Sequence, residues 1–250
     1  MRKRPLKGEE NSGRNRPQQY MKKLVILTGA GISQESGIPT FRDANGLWQN
    51  HDITDVASPQ GWMKDPELVL KFYNLRRRKI MKVKPNNGHM IIAELDNYFD
   101  VAVVTQNIDD LHEKAGSRRV IHLHGNIFES RPVSDPARIY HIEGPSLNMG
   151  DTDEFGEQLR PNVVWFGEMV PRMEDAIEVT LQADIFIVAG TSLVVYPAAG
   201  LIEYVGALIP KFVVDPDIPE MAEQPNLFLI PEKAGIGMEM VKNRLLEEFL

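Results

Sequence analysis

Residues 24–43 read LVILTGAGISQESGIPTFRD, and the order of residue types in this stretch sets the fold. Leu24 to Leu27 is a short apolar run of strand type. It passes directly into Gly29-Ala30-Gly31, where missing side chains let a phosphate approach the backbone amides. A helix is expected to start at this turn, with Ser33 placed to help at its first residues, because free amides at a helix N-terminus attract an anion such as a pyrophosphate. The dehydrogenase fingerprint requires a third glycine at the place held by Gln34, and nothing near residue 50 looks like a strand carrying a ribose-binding acid. The loop that follows, Ser36-Gly37-Ile38-Pro39-Thr40-Phe41-Arg42, puts a fixed proline, an aromatic ring and a guanidinium beside the phosphates, as a cover over a nucleotide would.

The same succession of apolar run and polar turn recurs downstream. Val101 to Val104 is a nearly continuous β-branched run, typical of a strand buried on both faces, and it ends in Thr105-Gln106-Asn107-Ile108-Asp109. Val120-Ile121-His122-Leu123-His124-Gly125, Asp184 to Ala189 before Gly190-Thr191-Ser192, and Lys211 to Val214 before Asp215-Pro216 repeat it. With residues 227–230 as a last strand and helical stretches between, the expected fold is α/β with a parallel, doubly wound, Rossmann-like sheet. In such sheets ligands gather beyond the carboxyl ends of the strands, so the polar turns hold the candidate site residues. Each has a plain alternative: Asn107 or Asp109 as a helix cap, and either histidine as a structural residue. A histidine is the side chain suited to act as a base near neutral pH, but His122 and His124 point the same way on a strand, so alternation does not choose between them. Leu159 to Glu168 reads as a further strand into a loop, either plain core or an edge able to accept an extended peptide.

Pro66 opens a helical stretch that runs to about Met81 and contains Phe72-Tyr73-Asn74-Leu75-Arg76-Arg77-Arg78-Lys79. Tyr73 and Arg76 share one face of that helix. The bland reading is an amphipathic helix with a solvated basic face. Met238 to Leu250 reads as a C-terminal amphipathic helix.

Composition narrows the class. The 250 residues are 42% hydrophobic and 25% charged, enough for one large domain with a sizeable core. The formal charge of −7 argues against nucleic acid as the default partner. There is no cysteine, which removes disulfides, thiolate ligands and a cysteine nucleophile together. No run approaches the ~20 apolar residues needed to span a bilayer, so the expectation is a cytoplasmic protein without a membrane partner. Residues 1–20 carry six Lys or Arg against two Glu with almost no aliphatic side chains, and are expected to be a disordered basic tail.

The strings GAGIS and SGIPTFR, followed by TQNID, HG, FGE and GTS, resemble the sirtuin family of NAD-dependent protein-lysine deacylases over about residues 21–250. The resemblance implies a Rossmann-like core (21–43, 89–127, 161–250) with a small lobe formed by two inserts, 44–88 and 128–160. It implies NAD held by Gly29, Ala30, Gly31, Ser33, Thr40, Phe41 and Arg42 from the first turn. Gln106, Asn107, Asp109 and His124 would meet its reacting end, and Gly190, Thr191, Ser192, Asp215 and Ala234 its adenosine end. His124 is selected as the base that takes a proton from a ribose hydroxyl, with Asn107 ordering that ribose and His122 as support. The partners implied are acyl-lysine proteins or peptides, held by Val163, Phe166, Gly167 and Glu168. FYNLRRR, with Ala57 upstream, looks like the desuccinylating and demalonylating subgroup, in which Tyr73 and Arg76 would hold the free carboxylate of an acidic acyl group. The products implied are free lysine, nicotinamide and O-acyl-ADP-ribose. Two other readings use the same residues: a NAD glycohydrolase, which needs no acyl-lysine, and a NAD-sensing module without turnover. The sequence departs from the family where two Cys pairs usually bind a structural zinc: Pro132 and Asp135 stand near the first pair, so no metal is expected, and residues 130–159 must hold by packing.

Overall fold

The computed structural model describes residues 21–40, 47–48, 51–218 and 226–250. Phe41 and Arg42 lie outside the described residues. The first half of the chain runs β1 (Lys23–Thr28), α1 (Ala30–Gln34), β2 (Leu47–Trp48), β3 (His51–Asp52), α2 (Ile53–Val56), α3 (Pro59–Lys64), α4 (Pro66–Ile80) and α5 (Asn87–Leu95). Next come β4 (Asp100–Thr105), α6 (Leu111–Ala115), β5 (Val120–His122), β6 (Gly125–Arg131), β7 (Tyr140–His141) and β8 (Arg160–Val163). The chain closes with α7 (Met173–Leu181), β9 (Ile185–Ala189), a 3-10 helix (Ala198–Tyr204), β10 (Lys211–Val214), β11 (Leu227–Ile230) and α8 (Ala234–Phe249).

Six parallel strands form the main sheet in the order β11-β10-β9-β1-β4-β5. The expected doubly wound α/β sheet is the observed one. Alternate side chains of the inner strands serve opposite faces: Leu24, Ile26, Val101 and Val103 pack under α5 and α8, while Val25, Leu27, Ala102 and Val104 pack under α7 and the 3-10 helix. This double burial is why the strands read as unbroken apolar runs. From β1 the chain moves to β4 and β5 on one side, then returns to β9 and continues to β10 and β11 on the other. The reversal falls between β1 and β9, and a crevice opens at their carboxyl ends.

A second, three-stranded antiparallel sheet, β7-β6-β8, packs with α2 and α4 around Val56, Phe72, Tyr73, Ile127 and Trp165. Residues 160–163 therefore pair with β6, antiparallel, and lie outside the main sheet. Helix α4 begins at Pro66 behind the Asp65 cap, which accepts from the Leu68 amide. Its basic run is only half solvated: Arg78 and Lys79 are exposed, Arg76 and Arg77 are not. Arg77 is fully buried, donating to the Ile127 carbonyl (2.7 Å) and to Asn74 (2.7 Å), and Arg76 is only 7% exposed.

The 130–159 segment is tied together by charged side chains. Arg138 donates to Asp153 (2.6 Å) and Asp135 (3.1 Å) and lies over the Phe155 ring. Asp153 accepts from the Phe155 and Glu157 amides (3.0 and 2.8 Å), and Glu157 accepts from the Val133 and Ser134 amides and the Ser134 hydroxyl. Among the described residues no group of His, Cys, Asp or Glu is placed to hold a metal ion. Arg138→Ala is expected to lower the thermal midpoint and speed proteolysis within 130–159, whereas EDTA leaves both unchanged and metal analysis finds well under one zinc per chain. A stoichiometric zinc content contradicts this account.

Two histidines sit wholly inside, His89 on α5 and His112 on α6, with ring centroids 4.9 Å apart. Burial holds His89 down at about 4, and burial, reinforced by the charges of His89 and His122, holds His112 well below its ordinary range. Below about pH 6.5 the unfolded chain therefore takes up protons that the folded chain refuses. Stability should be full above pH 6.5 and fall as the pH drops toward 4, with a slope of up to ~1.4 kcal/mol per pH unit for each histidine. Chemical denaturation at several pH values measures it; a flat profile between pH 6.5 and 4 removes the assignment.

Candidate active site

The crevice is built on a crossing of two turns. The Gly31 amide donates to the Gly190 carbonyl (2.8 Å) and the Gly29 amide to the Ala189 carbonyl (3.1 Å). A Cβ on Gly31 would stand 2.8 Å from the Gly190 Cα, and Gly190 itself has φ +66°, so both positions require glycine. The glycines thus serve the close approach of the turns. Among the described residues the amides left without an acceptor here are those of Ala30, Thr191 and Ser192, which flank the crossing on both sides.

Ser33 departs from its expected role. Helix α1 begins at Gly29 with no side-chain cap, and the Ser33 hydroxyl is buried, accepting from the Asn107 amide (3.1 Å) and donating to Asp109 (3.0 Å). It ties α1 to the turn after β4, the strand paired with β1. Asn107 spends its second amide hydrogen on the Gly29 carbonyl (3.0 Å). Both donors face inward, so the side chain offers a ligand its carbonyl oxygen alone. Asp109 also accepts from the Leu111 amide (3.2 Å), and burial pushes its pKa up against these hydrogen bonds. Gln106 reaches across the crossing to the Thr191 hydroxyl (3.3 Å).

The two histidines that alternation left equal are separated by their partners. The Nδ1 of His124 stands 2.9 Å from the Gln106 carbonyl, which accepts only, so the proton sits on Nδ1 and Nε2 keeps a bare lone pair. Burial pulls the His124 pKa down, offset in part by that hydrogen bond, and the ring is neutral at pH 7. His122 is engaged at both nitrogens, with the Asn107 carbonyl (3.0 Å) and Glu113 (2.7 Å). Burial works to lower its pKa, but the Glu113 hydrogen bond and charge prevail and raise it.

A cavity of about 480 Å³ joins these groups. Ala30, Gly31, Ser33, Gln106, Asn107, Asp109 and His124 border it on the β1 and β4 side. Gly190, Thr191, Ser192, Asp215 and Ala234 border it on the β9 and β10 side, and Thr40 at the loop after α1. Gly29 lies behind the wall. Asp215 turns one oxygen to the Asp217 amide (2.9 Å). The small lobe contributes Ala57, Tyr73, Arg76, Val163, Phe166, Gly167 and Glu168. Burial lowers the Arg76 pKa to about 10, so the guanidinium remains charged, and pushes the Tyr73 phenol up to about 12, so it keeps its proton. Phe166 is exposed at the rim. The Glu168 carboxylate is held by Arg160 (2.6 and 3.1 Å) and the Trp165 amide (2.8 Å), so its side chain braces the loop.

Sequence reading did not single out Trp165 or Arg160. Trp165 is buried at the cavity wall, its indole N–H donating to the Tyr73 hydroxyl (3.0 Å), and Arg160 lies over its ring. The partners are 92 residues apart, so no local pattern announces them.

Three comparisons bear on this arrangement. The sequence model of the Sir2 family matches residues 29–197. The NAD-dependent protein deacylase of Helicobacter pylori strain 26695 is 48% identical over 227 residues, covering 91% of this chain and 99% of that protein. The solved structure of a Sir2 homologue in complex with NAD is 40% identical with a TM-score of 0.78, covering 91% of each chain. A structure of Sir2 bound to an acetylated peptide is 31% identical with a TM-score of 0.70, over 92% of this chain and 94% of that one.

The histidine assignment has a direct readout. In ¹⁵N-resolved spectra at pH 7, His124 should be the neutral Nδ1–H form and titrate below 6.5, and His122 should titrate above it. A His124 ring already charged at pH 7 contradicts the geometry.

Proposed function

The chain belongs to the Sir2 family, and from that premise we propose that it is a NAD-dependent protein-lysine deacylase that removes succinyl and malonyl groups as well as acetyl groups. The residues at the switch point fit a dinucleotide. Unspent amides of Ala30, Thr191 and Ser192 flank the glycine crossing and suit a pyrophosphate, and the Asn107 carbonyl oxygen and Asp215 suit ribose hydroxyls. NAD, when bound, supplies an electrophilic ribose carbon with nicotinamide as its leaving group. In this reading the adenosine half lies over β9 and β10, beside Asp215 and Ala234, and the reacting half over β4, beside Asn107 and Asp109.

His124 then acts as the general base. Its Nε2 is the free lone pair, its Nδ1 proton is pinned by the Gln106 carbonyl, and burial keeps it neutral at pH 7. Asn107 accepts from the same ribose and sets its orientation, because its amide hydrogens are locked onto Gly29 and Ser33. Holding sugar and acyl-lysine in one cavity supplies a large part of the acceleration through positioning. The loop of Phe166 and Gly167 at the rim suits an extended peptide, and Val163 flanks the lysine.

The observation that carries the acyl preference is the buried pair Tyr73 and Arg76. A charged guanidinium and a protonated phenol, turned one helical step apart on α4 at a cavity wall widened by Ala57, replace the water that a carboxylate loses on entry. A mass-spectrometric panel of succinyl-, malonyl- and acetyl-lysine peptides, with and without NAD, tests the reading. Succinyl and malonyl peptides should be cleaved at least as well as acetyl, and Arg76→Met should reverse that preference; an unchanged preference rejects the clamp. His124→Tyr should keep the fold and lose ~10²–10⁴ in rate, and a loss of less than about tenfold rejects His124 as the base. Nicotinamide release without any peptide would mark a glycohydrolase instead.

A further inference from the structure

Trp165 is 2% exposed, and its indole has one polar atom to satisfy. It does so on the Tyr73 hydroxyl, at 3.0 Å. An indole N–H only donates, so the phenol oxygen accepts there. A phenolic proton lies in the ring plane in one of two orientations, and the indole closes one of them. Among the described residues no other group accepts that proton, which leaves it for a ligand.

The indole is itself held from several sides. Glu168 accepts from the Trp165 amide (2.8 Å), and the Arg160 guanidinium lies 3.1 Å from the ring centroid. Arg160, 2% exposed, is fixed by both oxygens of Glu168 and by the Val163 carbonyl (2.8 Å). The Trp62 ring lies 5.8 Å away. A side chain held this firmly does more than fill space: it sets the direction of a hydrogen bond that neighbours Arg76.

We propose that Trp165 is a specificity-determining positioning residue, whose indole N–H keeps the Tyr73 hydroxyl turned as a donor and so favours acyl groups ending in a carboxylate over those ending in a methyl. This rests on the reading of Tyr73 and Arg76 as the carboxylate clamp. Without the indole donor the hydroxyl is free to turn its proton away, and a carboxylate would then meet a lone pair.

The test is a double-mutant cycle of Trp165→Phe and Tyr73→Phe, read as kcat/KM for succinyl-lysine and acetyl-lysine in one peptide sequence. Trp165→Phe should cut succinyl turnover about tenfold, chiefly through KM, and change acetyl turnover far less, since one hydrogen bond to a charged group is at stake. In the Tyr73→Phe background it should leave the succinyl-to-acetyl ratio unmoved. Equal losses on both substrates, or an undiminished effect in that background, overturn the proposal and leave Trp165 a packing residue. Arg76→Met is run alongside. If it leaves the ratio of the wild-type enzyme unchanged, the clamp reading fails; if it collapses the ratio while Trp165→Phe does not, only the role of Trp165 fails. Should Trp165→Phe not fold, Arg160→Lys loosens the ring without removing it, and a wild-type ratio in that variant overturns the proposal equally.

Discussion

Everything in this molecule hangs on the hydrogen bond from the Gly31 amide to the Gly190 carbonyl, 2.8 Å long, where two turns from opposite halves of the sheet cross. A Cβ on Gly190 would stand 2.2 Å from the Ile32 nitrogen, so no side chain is tolerated at the crossing. The contact continues the pairing of β1 and β9, neighbours although the chain runs through β4 and β5 and the whole small lobe between them. It also brings the ends of both halves into one crevice. The Gln106 bond to Thr191 spans the same crossing, and the Asn107 bond to Gly29 joins the turn after β4 to it.

A second constraint acts on protons. At three places a polar side chain is committed inward, and the commitment decides what it shows the cavity. Asn107 gives both amide hydrogens to the protein and keeps an acceptor for the ligand. His124 gives its Nδ1 proton to Gln106 and keeps a base. Tyr73 accepts a hydrogen bond from the Trp165 indole and keeps its own hydroxyl proton to donate. These hydrogen bonds fix the side chains in advance, so a ligand that enters the cavity would need little rearrangement of them. Charge follows the same logic. Arg76 and Arg77, consecutive on α4, are held inside at the cost of desolvation, which lowers both to about 10, and of the two Arg76 lines the cavity.

Much of this was legible in the amino-acid order, and the reasons are local. Double burial writes β1, β4, β9 and β10 as apolar runs, and a polar turn at each carboxyl end marks the crevice without any knowledge of long-range pairing. Pro66 announces the start of α4 because its fixed φ and missing amide suit a first turn. Features that depend on partners far along the chain were hidden. Ser33 reads as a cap in its own helix, yet its hydroxyl is claimed by residues 74 and 76 positions away. The basic run of α4 reads as a solvated face because nothing nearby reveals that the Ile127 carbonyl, 50 residues away, accepts from Arg77. Alternation places His122 and His124 alike, and only Glu113, from another element, distinguishes them. The antiparallel pairing of β8 with β6 is likewise invisible in a run whose composition suits either sheet.

The account is tested most directly by a crystal structure of the chain with NAD and an acyl-lysine peptide that turns over slowly. It predicts the nicotinamide-side ribose with one hydroxyl within hydrogen-bond distance of the His124 Nε2 and another on the Asn107 carbonyl oxygen, with the lysine entering from the small-lobe side. A ribose lying away from both groups, or a dinucleotide bound elsewhere on the sheet, would contradict it.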